Sequence, residues 1–495
     1  MLASLGVDLP TAILVIAAVG LALSFEFVNG FHDTANAVAT VIYTNTLQPN
    51  IAVVWSGLWN LIGVLTSSGA VAFGIVALLP VELVINVGSG PGFAMVFSLL
   101  VSAIVWNVGT WYLGLPASSS HTLIGSIVGV GLMNSILSPS SNIGDGVNWH
   151  KVAETLQALV YSPIIGFVLA GLLLWLARKL IPVPSLFKAP EGKKPPPWPV
   201  RLLLVLTCTG VSFAHGSNDG QKGMGLIVLI LVGLLPATFA FDLTTKPEAL
   251  RQVEASAQHL DQQLTQAGVV PLTRPFEETQ KVITDFLRSG TKSPELVPAL
   301  ATINRGLGAG LGGVTSLDKV PASDRRSLRL DAYLVSETLP RLIKANLLPA
   351  TVDVKEMSAY QKTLKSMTNY IPTWVKVAVA LALGLGTMIG WKRIVVTVGE
   401  KIGKAHLAYA QGASAELVAY GTISAASSLG LPVSTTHILS SGIAGTMVAS
   451  GSGVQRETVR NILLAWILTL PVCVLLGAAL FGASLLFMFR VLGIH

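Results

Sequence analysis

Two segments of the chain carry nearly the same chemistry: Gly114-Leu115-Pro116-Ala117-Ser118-Ser119-Ser120-His121-Thr122 and Gly430-Leu431-Pro432-Val433-Ser434-Thr435-Thr436-His437. Proline fits the first turn of a helix, and the hydroxyls after it stand beside free backbone NH groups at a helix N-terminus. Facing one another, Ser118, Ser119, Ser120 and Thr122 with Ser434, Thr435 and Thr436 would encircle a tetrahedral oxyanion. Such a cage is neutral, so an anion can leave it as well as enter. The rival reading is that these hydroxyls bond back to the preceding helical turn, as a lone Ser or Thr in a membrane helix commonly does.

Asp33 lies in Gly30-Phe31-His32-Asp33-Thr34-Ala35-Asn36-Ala37, and Asp219 in Gly216-Ser217-Asn218-Asp219-Gly220-Gln221-Lys222-Gly223. Each follows an apolar run of helical length. A carboxylate inside a bilayer costs about 2.5 to 3.5 kcal/mol, which marks both as functional groups in need of a partner. The alternative is that each only caps a helix through a carboxylate oxygen. Beside an oxyanion cage, carboxylates repel the anion unless a proton or metal cation intervenes. Asp33 and Asp219, with His32, Asn36, Asn218 and Lys222 around them, are therefore read as sites for a coupling ion.

Three residues beyond Asp33 stands Asn36, whose amide oxygen can ligate a hard cation; three beyond Asp219 stands Lys222, whose ammonium can replace one. A lysine that snorkels to an interface is the alternative for Lys222. His121 and His437 occupy equivalent places in the two segments, and His32 and His215 lie near the aspartates. With Glu416, His121 and His437 are candidates for a proton relay, against a plain hydrogen-bonded packing role for each. The histidine spacing makes no zinc signature, so no permanent metal is expected. Cys208 and Cys473 sit in apolar runs and read as inert packing residues. Trp106, Trp111 and Trp149 read as packing or interfacial anchors.

The elements that must hold these groups belong to a membrane. Mean hydropathy is +0.67, 52% of residues are hydrophobic and only 12% are charged, which excludes an ordinary soluble protein. The windows Leu9 to Phe25, Leu61 to Leu79, Leu156 to Trp175 and Asn461 to Phe487 carry no charge at all. No Lys or Arg precedes the first apolar run and no small-residue cleavage site follows it, so it reads as a first span and not as a removed signal peptide.

Lys and Arg are absent before Lys151, then gather at Arg178, Lys179, Lys188, Lys193, Lys194 and Arg201, and again at Lys392, Arg393, Lys401 and Lys404. The positive-inside rule puts both clusters in the cytoplasm. Residues 1–181 then form a first membrane repeat, 182–201 a basic linker, and 202–242 the start of a second repeat that resumes at 371–495. Between them, residues 243–370 hold 16 Lys/Arg and 13 Asp/Glu with helical periodicity, and read as a soluble helical insert. An odd number of crossings between the linker and the insert places the insert on the far, periplasmic side.

Asp33 precedes Pro116 by 83 positions, and Asp219 precedes Pro432 by 213, of which 128 are the insert, leaving 85. Two motifs at matched separations in both halves are the signature of a repeat. Opposite orientation of the halves gives an all-α polytopic membrane protein of inverted-topology repeats, with broken helices or helical hairpins and about 10–12 membrane segments. In such folds the substrate site lies where the broken helices meet near the midplane.

These motifs resemble those of the inorganic phosphate transporter (Pit) family: Gly-x-Asn-Asp-x-Ala-Asn-Ala in the first half, a related Asn-Asp segment in the second, and Pro-x-Ser-x-x-His after each. The resemblance covers essentially the whole membrane part and is nearest to the bacterial low-affinity phosphate permease branch. It implies phosphate as substrate, a homodimer, cation sites at Asp33, Asn36 and Asp219, and a phosphate site at Ser118 to Ser120, Thr122 and Ser434 to Thr436. Sodium-coupled members carry Asn where this chain has His32 and Lys222, whereas the bacterial branch is associated with proton-coupled uptake of phosphate as a neutral complex with Mg2+ or Zn2+.

The sequence thus predicts a non-enzymatic, multi-pass symporter of the bacterial inner membrane that imports phosphate, with transported H+ or Na+, a divalent metal carried with phosphate, and no cofactor. No nucleic-acid partner is expected. The rivals are a sodium-coupled carrier, a carrier of sulfate or arsenate, and a membrane receptor whose ligand-binding part is the insert. A membrane-embedded phosphatase finds no nucleophile and base in a recognisable arrangement.

Overall fold

The computed structural model describes residues 8–33, 35–79, 88–138, 143–145, 147–190, 192 and 194–492, apart from the side chains of 35, 36, 491 and 492. Helices carry the fold. The first repeat comprises α1 (Leu9–Asp33), α2 (Ala35–Tyr43), α3 (Pro49–Thr66), α4 (Ala70–Val76), α5 (Gly90–Tyr112), α6 (Ser119–Leu137) and α7 (Trp149–Leu180). The second opens with α8 (Trp198–Leu234) and the short α9 (Pro236–Phe239). The charged segment follows as α10 (Pro247–Gln266), α11 (Phe276–Ser289), α12 (Leu296–Leu311), α13 (Ala322–Lys344) and α14 (Val354–Thr368). The second repeat then continues through α15 (Thr373–Met388), α16 (Lys392–Val396), α17 (Tyr409–Ser428), α18 (Thr435–Ser450) and α19 (Arg456–Phe487).

Seven helices among the described residues are long and apolar enough to cross a membrane: 9–43, which joins α1 and α2, then α3, α5, α6, α7, α8 and 456–490. The pair α14 and α15, bent by 70°, passes the same test jointly. The chemistry divides that pair: α14 is rich in Lys and belongs with the insert, whereas α15 is the apolar return.

The repeat is visible in how the halves interlock. Helix α3 packs against α8 while α15, its counterpart, packs against α1; α6 packs against α19 while α18 packs against α7. Each pair exchanges equivalent helices of the two halves, so neither half has a complete membrane core alone. Close approach is part of the exchange. A Cβ on Gly129 of α6 would run into the backbone of Val474 in α19, and one on Gly445 of α18 into the backbone of Phe167 in α7.

The insert has its own apolar core, built from residues such as Val253, Leu260, Ile283, Leu300, Leu334 and Leu364 on the inner faces of α10 to α14. Two buried polar links sit inside it: Tyr360 Oη donates to Asn304 Oδ1 (3.0 Å), and Asn304 Nδ2 donates to the Ala257 carbonyl (2.8 Å). Arginines of α13 tie it to the chain that enters it from the membrane part. Arg325 donates to the Ala237 carbonyl of α9 (2.7 Å), and Arg329 to those of Ala240, just past α9, and Thr368, the last residue of α14.

Candidate functional site

The two hydroxyl turns have one geometry. Gly114 and Gly430 both take φ +68°, a left-handed conformation that glycine adopts without the Cβ penalty. The chain then reaches Ser118 (φ −108°, ψ 115°) and Ser434 (φ −95°, ψ 102°), which cap α6 and α18 by accepting from His121 N (3.2 Å) and His437 N (3.1 Å). These caps satisfy an NH that each helix start leaves open, and they fix where the next hydroxyls point.

Those next hydroxyls meet the aspartates. Thr436 Oγ1 donates to Asp33 Oδ1 at 2.6 Å, and Ser119 Oγ lies 3.1 Å from Asp33 Oδ2 and 3.3 Å from Asp219 Oδ2. Lys222 Nζ donates to the same Ser119 oxygen (3.2 Å) and pairs with Asp219 Oδ2 (2.8 Å). Lys222 is 0% exposed, so it does not snorkel; its aliphatic stem is buried and its ammonium is held by Asp219 and Ser119. One serine hydroxyl therefore joins the aspartates of both halves and the lysine.

His215 completes the group. Its Nδ1 faces Asn60 Oδ1 at 2.6 Å, while Asn60 Nδ2 points at Ser56 and Thr387 oxygens. An amide oxygen only accepts, so Nδ1 carries the proton and Nε2 is the atom presented to the carboxylates. That Nε2 lies 3.5 Å from Asp219 Oδ2 and 3.8 Å from Asp33 Oδ2 and has no hydrogen bond among the described residues. One ligand atom from each of Asp33, His215 and Asp219 falls within 4.8 Å of the others. Donors bound to a tetrahedral Zn2+ at about 2.0–2.2 Å are separated by about 3.3–3.6 Å, so His215 and Asp219 stand at ligating distance. Lys222 competes with any such cation for Asp219 Oδ2.

The remaining sequence-predicted residues divide. Ser120 donates to the Val433 carbonyl (2.7 Å), stitching one turn to the other. Thr122 Oγ1 lies 2.8 Å from the Ser118 carbonyl and 3.0 Å from Asn107 Oδ1, a back-bonded hydroxyl directed into its own helix. Thr435 is buried. Asn218 grips the second turn: Nδ2 donates to Ser427 Oγ (2.9 Å) and the Leu431 carbonyl (3.2 Å). His32 bridges Asp33 Oδ1 (3.1 Å) and Thr110 Oγ1 (3.0 Å). The side chain of Asn36 lies outside the described residues.

His121 and His437 stand ring to ring at 4.7 Å, and His437 stacks on Trp466 at 3.9 Å. Their Nδ1 and Nε2 atoms, respectively, have no hydrogen-bond partner among the described residues. Glu416 holds the hydroxyls of Thr40 and Thr207, apart from the aspartate cluster.

Sequence reasoning missed Glu26 and Gln221. Glu26 is wholly buried in α1, and its Oε1 accepts from Gly223 N of α8 (2.6 Å) while Oε2 has no partner among the described residues. It precedes Asp33 by seven residues, two helical turns, and that spacing was the available signal. Gln221 Oε1 accepts from Val71 N (3.0 Å) and Ala72 N (3.4 Å), closing the start of α4; nothing in the sequence pairs these positions.

Comparison with known proteins places the chain in a family. The profile of the Phosphate transporter family matches residues 29–477. The chain is 43% identical over 503 residues to the low-affinity inorganic phosphate transporter PitA of Escherichia coli (strain K12), across 98% of this chain and 99% of that protein. It is 27% identical over 467 residues to a probable low-affinity inorganic phosphate transporter of Bacillus subtilis (strain 168), across 94% and 96% of the two. Among solved structures, one described as the sodium-dependent phosphate transporter matches with a TM-score of 0.51 at 20% identity, over 96% of this chain and 99% of that one, which shows a shared fold. Nine-tenths of the chain matches the family profile and nearly all of it aligns with PitA: this multi-pass membrane protein belongs to the phosphate transporter family.

Proposed function

We propose that the protein is a symporter that imports inorganic phosphate across a bacterial inner membrane, driven by protons and able to carry a divalent metal such as Mg2+ or Zn2+ with its phosphate. The observation that carries this reading is the ammonium of Lys222, 2.8 Å from Asp219 and joined through Ser119 to Asp33. A tethered cation at Asp219 takes the place that a sodium ion would need. It neutralises one carboxylate and leaves the other to be neutralised by what accompanies the phosphate.

Coupling follows from the donors. The hydroxyls of Ser119 and Thr436 have one proton each, and here they direct it at Asp33 or Asp219. A hydroxyl that serves a carboxylate cannot also serve a phosphate oxygen. Protonating the carboxylate, or placing a metal on it, removes the demand for those protons and the repulsion of the anion together. Phosphate and its companion then favour each other's binding, and by linkage the favour is mutual. His215 Nε2 supplies the neutral nitrogen that a transition metal prefers, beside the two carboxylates.

Purified protein in liposomes tests this. Phosphate uptake should follow an imposed pH gradient without sodium, and labelled Zn2+ should enter with phosphate. Uptake driven by sodium and indifferent to the pH gradient would overturn the proton assignment, and inhibition by sulfate equal to that by arsenate would overturn the phosphate assignment.

A further inference from the structure

A cavity of about 270 Å³ lies on the seam between the membrane part and the insert, remote from the aspartates. One wall is apolar: Phe73 and Val76 of α4, with Val232 and Pro236 at the outer end of α8 and just beyond. The opposite wall is α13, which contributes Arg326, Arg329 and Tyr333. Positions 326, 329, 330 and 333 follow the i, i+3, i+4, i+7 spacing of one helix face, so both guanidinium groups are presented on the same side.

The charges on this wall are not matched among the described residues. Neither Arg326 nor Arg329 forms an ion pair with a carboxylate among the described residues. Arg329 gives Nη1 to two carbonyls, which accounts for part of its five-donor fork. Burial pulls its guanidinium down to about 10, and the ionisable groups that face it are the phenols of Tyr370 and Tyr333. Arg326, one turn away, is exposed and makes no hydrogen bond among the described residues. Asn369 adds an amide to the lining. A half-buried arginine without an anion is costly, and a second one beside it adds repulsion.

We propose that this seam cavity binds a phosphate group, borne either by an anionic phospholipid or by free inorganic phosphate. Paired guanidiniums match the oxygens of phosphate in geometry and charge. A lipid gives the apolar wall an occupant at the membrane surface, where basic pockets take anionic headgroups. Free phosphate would be concentrated there by two fixed cations, near the outer end of the helix that carries Asp219. The site is separate from the transport cluster, and its occupancy is measurable whether or not the protein proves to be proton-coupled.

The test compares wild type with Arg326→Gln and Arg329→Lys, using the full chain purified in detergent. In one arm, native mass spectrometry counts phosphatidylglycerol retained over phosphatidylcholine; in the other, equilibrium dialysis counts equivalents of labelled inorganic phosphate. Arg326→Gln removes a side chain that holds no part of the fold, so its thermal midpoint should equal wild type. Arg329→Lys keeps the charge and loses the planar fork. A loss of about tenfold or more in retained phosphatidylglycerol in both variants assigns the lipid, and the loss of one phosphate equivalent assigns the free ion. Wild-type values for both ligands in Arg326→Gln overturn the proposal.

Discussion

Thr436 Oγ1 lies 2.6 Å from Oδ1 of Asp33, although the two residues stand 403 positions apart in the chain. A hydroxyl from the second repeat donates to the carboxylate of the first. Ser119, on the first turn one position before the residue equivalent to Thr436, reaches toward Asp219 of the second repeat as well as Asp33. Hydroxyl turns and aspartates are thus one crossed set, shared between the halves.

Removing the shared hydroxyl should uncouple the set. Ser119→Ala is expected to lower phosphate uptake in liposomes at least about tenfold while leaving helix content near wild type, with a loss of about 1–3 kcal/mol in stability because buried charged groups lose a hydrogen-bond partner. Uptake at the wild-type rate would show that Ser119 is incidental to transport.

Lys222 and Asp219 should behave as a unit. Lys222→Gln alone leaves a buried carboxylate without its ammonium, at a cost of about 3–5 kcal/mol. The double variant Lys222→Gln, Asp219→Asn removes both charges and should recover most of the lost thermal stability but none of the uptake. A double-mutant cycle on denaturation midpoints and initial rates measures the pair, and additive stability effects would rule out direct coupling.

His215→Asn should separate metal from proton. Nε2 is the atom facing both aspartates, and its loss is expected to cut labelled Zn2+ entering with phosphate more than it cuts phosphate uptake in chelator. Equal losses in both assays would make His215 a positioning residue for the carboxylates alone.

Gly114→Ala and Gly430→Ala put a Cβ on residues at φ +68°. Each should cost about 1–2 kcal/mol and displace the serine cap four residues on, so uptake falls with stability. A variant with wild-type melting and wild-type uptake would show that the turn has another accessible shape.

The insert should carry its own pH signature. Burial pushes the Asp331 carboxyl up to about 7 from its ordinary value of 3.8, against the Gln280 amide that donates to it (2.9 Å). The folded value is above the unfolded one, so this contribution is fully present below about pH 4 and is lost as pH rises toward about 7. Asp331→Asn should flatten the pH dependence of the insert's melting over that window. The same slope in wild type and variant would place the titrating group elsewhere.

Much of this was legible from residue order. The apolar runs, the charge-rich break at 243–370, the twin Gly-Leu-Pro turns and the two aspartates are local patterns, and local patterns decide helices, caps and membrane burial. Even Lys222, three residues from Asp219 on one helix, could be paired with it from spacing. What only the tertiary structure decided is who meets whom across the repeats: Ser119 between Asp33 and Asp219, His215 turned by Asn60, Glu26 against Gly223, and Thr122 directed into its own helix. Those partners lie on different helices, and their distances depend on which glycine-lined faces allow two backbones to close together. Hydrophobic periodicity names the face that is buried and carries no information about the helix that covers it. Side-chain direction within a packed core is settled by that covering helix, which is why the residue types of the site were written in the sequence and its wiring was not.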